Sequence, residues 1–230
     1  MRQFSTLALL FSSVLTLSAC SHLSEIVPQH APVVSAKVVT KTLGVDLASL
    51  EQRAAALETF EYVHNNEQYI AYLSTQPELI KVQKDGKISQ FFYQAGKINV
   101  IQDESGIYQF DNMAKMTAAV NVNGQKVEPS IEKQQALLAQ SKKLHKILGY
   151  NKADGSAGRI NTGNDAKVNY LCIAKIQQVA QTHRVFRSPD NAVVTANSIH
   201  AMVRLNGNQY YTMDCQLSGD KVSKLSLIKK

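Results

Sequence analysis

Turn signals recur about every ten residues through the middle of the chain, at Asp85-Gly86, Ala95-Gly96 and Ser105-Gly106, with Asn123-Gly124 further on. Between them lie β-rich runs: Ile88–Tyr93, Ile98–Gln102, Ile107–Phe110 and Met116–Val122. Asp-Gly and Asn-Gly supply the positive φ angles of the tightest hairpin turns, because their twist matches that of the strands they join. Such spacing leaves no room for helices. It predicts an antiparallel meander of about five strands, with Gln68–Leu73 either its first strand or the end of a preceding helix.

Helical periodicity brackets this region. Asp46 is a natural N-cap for a helix to about Asn65, with Leu47, Leu50, Ala54, Leu57 and Phe60 in one stripe. Ser130 caps a second helix to Leu148, where Leu137, Leu138, Ser141, Leu144 and Leu148 share a face and Gly149 is a stop. Residues 150–165 are rich in Gly, Asn and Asp, which marks a boundary. A third helix, about Ala166 to Gln181, carries Val168, Cys172, Ile176 and Val179. Strands are expected at about His183–Phe186, Ile199–Leu205, Tyr210–Leu217 and Val222–Ile228, with turns at Asn206-Gly207 and Gly219-Asp220. The fold class is α+β: a helix and an antiparallel meander, a helix, then another helix packed on a short antiparallel sheet.

The N-terminus reads as a targeting segment. Met1-Arg2-Gln3 is basic, Leu7 to Leu17 is largely apolar, and Leu17-Ser18-Ala19-Cys20 follows. A basic start, a short apolar run and small residues are the marks of a secretory signal, and the run is shorter than the about 20 residues that span a bilayer. Leu17-Ser18-Ala19-Cys20 resembles the lipobox of bacterial lipoproteins. That resemblance implies cleavage after residue 19 and a lipidated Cys20 bearing a diacylglycerol thioether and an N-acyl chain such as palmitate. Ser21, a residue other than Asp, implies transfer to the outer membrane and anchoring on its periplasmic side. The expected organisation is a signal peptide at 1–19, a tether at 20–43, an α+β domain at 44–149, a linker at 150–165 and a small module at 166–230. The tether, with Pro28 and Pro32 and no helical period, lets the body stand off the membrane.

With Cys20 lipidated, Cys172 and Cys215 remain as a pair in an oxidising compartment. Cys172 falls on the apolar stripe of its helix. Cys215 alternates in phase with Tyr211, Met213 and Leu217. Both thiols therefore point into one core, and a disulfide is expected.

Residues of catalytic type are present, but not in catalytic patterns. His22, His30, His64, His145, His183 and His200 show no metal-ligand spacing, so no metal site and no cofactor is expected. His64 reads as a surface residue at a helix end. Ser-x-x-Lys occurs at Ser130/Lys133, Ser218/Lys221 and Ser226/Lys229, without the Lys-Thr-Gly of penicillin-binding enzymes. Ser130 is better explained as a cap. Asp103/Glu104 reads as solvated charge at a turn.

The formal net charge is +7, from 25 Lys+Arg and 18 Asp+Glu, and only Arg2 leaves with the signal. The cations are scattered, which argues against a nucleic-acid partner. The excess suits anionic envelope surfaces or peptidoglycan, and without Trp any carbohydrate stacking falls to Tyr and Phe. The expected function is a non-enzymatic binding or scaffold lipoprotein, with an envelope protein or a cell-wall polymer as partner. A protein inhibitor of a secreted hydrolase, and an envelope enzyme with a dispersed site, are the alternatives.

Overall fold

A computed structural model describes residues 43–149 and 163–230. The expected signal peptide, Cys20, the expected tether up to residue 42 and residues 150–162 of the expected linker lie outside the described residues. Three described helices, α1 (Leu47–Ala55), α2 (Ile131–Leu148) and α3 (Gly163–Ala180), accompany a sheet of 12 strands. The strands are β1 (Glu58–His64), β2 (Glu67–Leu73), β3 (Pro77–Lys84), β4 (Lys87–Gln94), β5 (Lys97–Asp103), β6 (Gly106–Phe110) and β7 (Met116–Asn121) before α2. After α3 come β8 (Val185–Arg187), β9 (Val193–Val194), β10 (Ser198–Leu205), β11 (Gln209–Ser218) and β12 (Lys221–Lys229). The α+β class holds at this level.

The turn chemistry works as expected. Asp85-Gly86 and Ala95-Gly96 each place both residues at positive φ, which closes β3–β4 and β4–β5 with two-residue turns. The meander has seven strands rather than about five. The expected helix to Asn65 stops at Ala55, and Phe60 lies in β1. The reason is composition. Glu58–His64 alternates, burying Phe60 and Tyr62 while Glu58 and Thr59 stay exposed, and aromatic and β-branched residues suit a pleated surface. The extra strand β3 opens on Pro77, a position where a missing N–H costs nothing.

The helix capped by Asp46 is otherwise as read, with Ser49 N donating to Asp46 Oδ1 at 3.2 Å. Ser130 likewise caps α2, accepting from Lys133 N at 3.3 Å. The third helix begins at Gly163, inside the expected linker.

The two expected sheets are one. β1 and β12 pair in parallel, with Glu61 opposite Lys224 and Val63 opposite Ser226, and every other pairing is antiparallel. The strand order is β7-β6-β5-β4-β3-β2-β1-β12-β11-β10-β8, with β9 also on β10. One buried cluster runs along one face from Phe110 through Phe60 to Leu225 and Ile199, under α2 and α3. A second cluster, on the other face, holds Leu43, Ala54, Leu79, Phe92, Val100, Ile107 and Val120 under α1. Cys172 of α3 and Cys215 of β11 are joined by a disulfide, with Cα atoms 6.1 Å apart. It pins α3 to the sheet as the phase of the two segments implied.

Candidate functional site

At one end of the molecule α2 and α3 part from the sheet, leaving a cleft of about 900 Å³. The β1–β2, β3–β4 and β10–β11 turns form one rim. The end of α3 and the face of α2 with Gln140 and Lys143 form the other. The floor is apolar: Val82, Leu144, Ile147, Val179, Leu205 and Leu227. Six carboxamides, Asn65, Asn66, Gln140, Gln181, Asn206 and Gln209, line the cleft around this floor.

Rings form its spine. Tyr62 stacks on Tyr69 with centroids 5.5 Å apart and lies 6.1 Å from the His64 ring, which in turn is 5.8 Å from Tyr211. The β1–β2 hairpin produces this row, because Tyr62 faces Tyr69 across the ladder and His64 lies two residues further along the same face. Tyr211 joins through β12, beside β1 in the sheet.

The charges are arranged to stay quiet. Glu67 accepts from Lys84 Nζ and from the Tyr69 hydroxyl, and these bonds, Lys84 first, hold its carboxyl below the ordinary range. Burial raises the Tyr62 and Tyr69 phenols, with Tyr211 and Glu67 respectively adding to the effect. Burial lowers the His64 imidazole, helped by Lys143 and opposed by Glu67. At neutral pH the cleft therefore presents a neutral imidazole, neutral phenols and the Glu67–Lys84 ion pair, with Lys143 and Asp85 at its rim. Such a lining offers apolar contact, two-way hydrogen bonds from amides and, at the partly exposed Tyr69 and His64, ring faces.

His64 is thus no helix-end surface residue. It closes β1, half-buried, because the helix ended earlier. Asp103 is also not solvated. Its carboxylate binds Lys133 Nζ at 2.7 Å and Ser105 Oγ at 2.6 Å, fastening the start of α2 to the β5–β6 turn. Burial raises the Asp103 pKa, but the Lys133 and Ser105 bonds outweigh it, and the net direction is down. Glu104 pairs with Lys87 at 2.6 Å.

The Ser-x-x-Lys pairs are not brought into a common site. Ser130 is a cap and Lys133 is taken by Asp103, while Lys221 pairs with Glu58 at 2.7 Å. His200 Nδ1 lies 2.5 Å from Asp214 Oδ1 on an open sheet face, and no hydrogen bond from a serine or threonine reaches that ring among the described residues. No group of three metal-binding side chains occurs among the described residues. Cys20 lies outside them.

The cleft was missed in the sequence because its rings come from β1, β2 and β11. The available signal was Asn65-Asn66 between two aromatic runs, a hairpin turn that a helix to Asn65 obscured.

A protein of Pasteurella multocida (strain Pm70), described as uncharacterised, is 64% identical to this chain over 230 residues, 100% of both. The chain belongs to the same family as that protein. No family model matches it, and no solved structure does.

Proposed function

We propose that this protein is an outer-membrane lipoprotein, anchored on the periplasmic side through Cys20, that binds a cell-wall polymer in the cleft without transforming it. The lining of the cleft carries this reading. An N-acetylated sugar has apolar ring faces and a methyl group to bury, and hydroxyls and an amide to satisfy. The partly exposed Tyr69 and His64 rings over an aliphatic floor serve the first need, and the surrounding carboxamides, of which Asn65, Gln181 and Asn206 already hold an internal bond each, serve the second. Lys143, exposed at the rim and without an ion-pair partner among the described residues, suits the carboxylates of wall peptides. The Leu17-Ser18-Ala19-Cys20 resemblance supports the location. A cleft of this size favours a polymer segment over a flat protein partner.

Soluble peptidoglycan fragments titrated against the protein provide the test. Tyr69→Ala and Lys143→Glu, both outside the deepest core, are expected to weaken binding about tenfold, a loss of about 1.4 kcal/mol. Unchanged affinity in both variants would overturn the assignment of the cleft. New fragment masses after incubation would overturn the non-enzymatic reading. Loss of palmitate labelling and of outer-membrane fractionation in Cys20→Ala checks the anchor.

A further inference from the structure

The face of the sheet opposite α3 is uncovered by any described residue over β8–β12, and its outward side chains form a patterned surface. Along one row of the ladder stand Phe186, Arg204, Tyr210 and Lys230: Phe186 is opposite Arg204, Arg204 is opposite Tyr210, and Lys230 N bonds to Tyr210 O. The Arg204 guanidinium lies 5.3 Å from the centre of the Phe186 ring. In the next row stand Met202 and Ile228, on either side of Thr212. Phe186 is 55% exposed, Val193 61%, Tyr210 47% and Ile228 42%, so half of the large exposed apolar side chains among the described residues are gathered on this face.

Cations stand in and beside the Phe186–Lys230 row. Arg204 and Lys230 stand in the row and Arg184 lies two residues before Phe186, and none of the three has an ion pair among the described residues, whereas Arg187, opposite buried Val203, and Lys229, opposite Tyr211, point to the other face. The acids nearby are Asp214, on the same face beside His200, and Asp190, which accepts from Ser188 Oγ. Alternating aromatic and cationic side chains are what the boundary between lipid headgroups and acyl chains accepts. Rings with apolar bodies sit there, and Arg and Lys meet the phosphates.

The point where the N-terminal segment enters the body selects the occupant. Leu43 is buried in the cluster with Leu79, Phe92 and Val100. The ladder carries that face of β3 through Lys81, Ile70, Glu61, Lys224 and Gln216 to the Phe186–Lys230 face. The segment that leads back to position 20 therefore joins the body on the same side of the sheet as the open surface. On the reading that Cys20 is lipidated, on which this inference rests, the membrane lies within a tether's reach of that face.

We infer that the open β8–β12 face docks on an anionic phospholipid bilayer, so that the lipoprotein lies against its membrane with the cleft, on the other side of the sheet, turned away. The segment from Cys20 to Leu43 holds the surface at high local concentration, which makes a modest intrinsic affinity sufficient.

The experiment uses the lipidated protein reconstituted into vesicles of phosphatidylcholine with and without phosphatidylglycerol. Flotation with both kinds of vesicle reports the anchor. Failure to float at all would show that the anchor is wrong. Docking is then read by amide hydrogen exchange. Strands β8 and β10 are expected to slow with phosphatidylglycerol present, while β4 and β5 stay unchanged, and added salt should reverse the effect. Arg204→Glu and Lys230→Glu are each expected to weaken docking about fivefold, and Phe186→Ser with Tyr210→Ser should weaken it without restoring exchange elsewhere in the sheet. An anchored protein whose β8 and β10 exchange ignores phosphatidylglycerol overturns the inference. So does protection that tracks protein density in neutral vesicles, because the face would then be a contact between copies.

Discussion

Lys175 shows how one side chain can tie layers together at a cost. It is 3% exposed on α3, with Nζ 3.9 Å above the Phe60 ring, donating to Gly149 O at 2.7 Å and to Gln178 Oε1 at 3.2 Å. It thereby closes the C-terminal end of α2, but no carboxylate neutralises it among the described residues. Burial lowers its pKa from the ordinary 10.5 to about 7. Between those values the unfolded chain holds the proton and the folded chain does not. Stability therefore rises with pH across that window, and the penalty is complete below it, on the order of a few kcal/mol. Lys175→Met keeps the contact with Phe60, and Gln178 Nε2 still donates to Gly149 O at 2.9 Å. Chemical denaturation should find the variant more stable than wild type at pH 7, with the advantage shrinking towards pH 10. A difference that does not change with pH would mean that the ring and the helix end keep the ammonium charged.

At the scale of elements, the disulfide decides how firmly α3 covers the sheet. Cys172 and Cys215 are separated by 43 residues and both are fully buried. Closing a loop of that length contributes roughly 3–4 kcal/mol by the chain-entropy account. Denatured, unreduced Cys20→Ala protein should show no alkylatable thiol, and two after reduction. Replacing both Cys172 and Cys215 by Ala should lower the Tm by about 10 °C. Two free thiols before reduction would refute the bridge in the isolated protein. The neighbouring hairpins need no such staple, since their turns already set their register.

Across the whole molecule the parallel β1–β12 pair matters most. It turns two meanders into one sheet and lets a single buried cluster run beneath both helices. The cleft depends on this, because Tyr62 and His64 of β1 meet Tyr211 of β11 only through β12. A protease site introduced at Gly155 and cut under native conditions should leave two fragments that co-elute on size exclusion and unfold in one transition. Fragments that separate without denaturant would show that the halves stand alone.

The sequence by itself determined what short range controls. Asp85-Gly86, Ala95-Gly96 and Asn206-Gly207 supply the positive φ angles for their hairpins, Asp46 and Ser130 cap their helices, and alternation around Cys215 together with the helical stripe through Cys172 put both thiols in the core. Each rests on a period or a turn within a few residues. Tertiary structure decided what lies beyond that range. Leu57 to Phe60 fits either a helical stripe or the start of a strand, and a partner 163 residues away, Lys221 on Glu58, belongs to the strand choice alone. The same pairing gathers Tyr62, Tyr69, His64 and Tyr211 into a cleft and leaves Phe186, Arg204 and Tyr210 in the open. Local patterns show which side of a strand is apolar, but which strand becomes its neighbour follows from the burial that the complete sheet achieves.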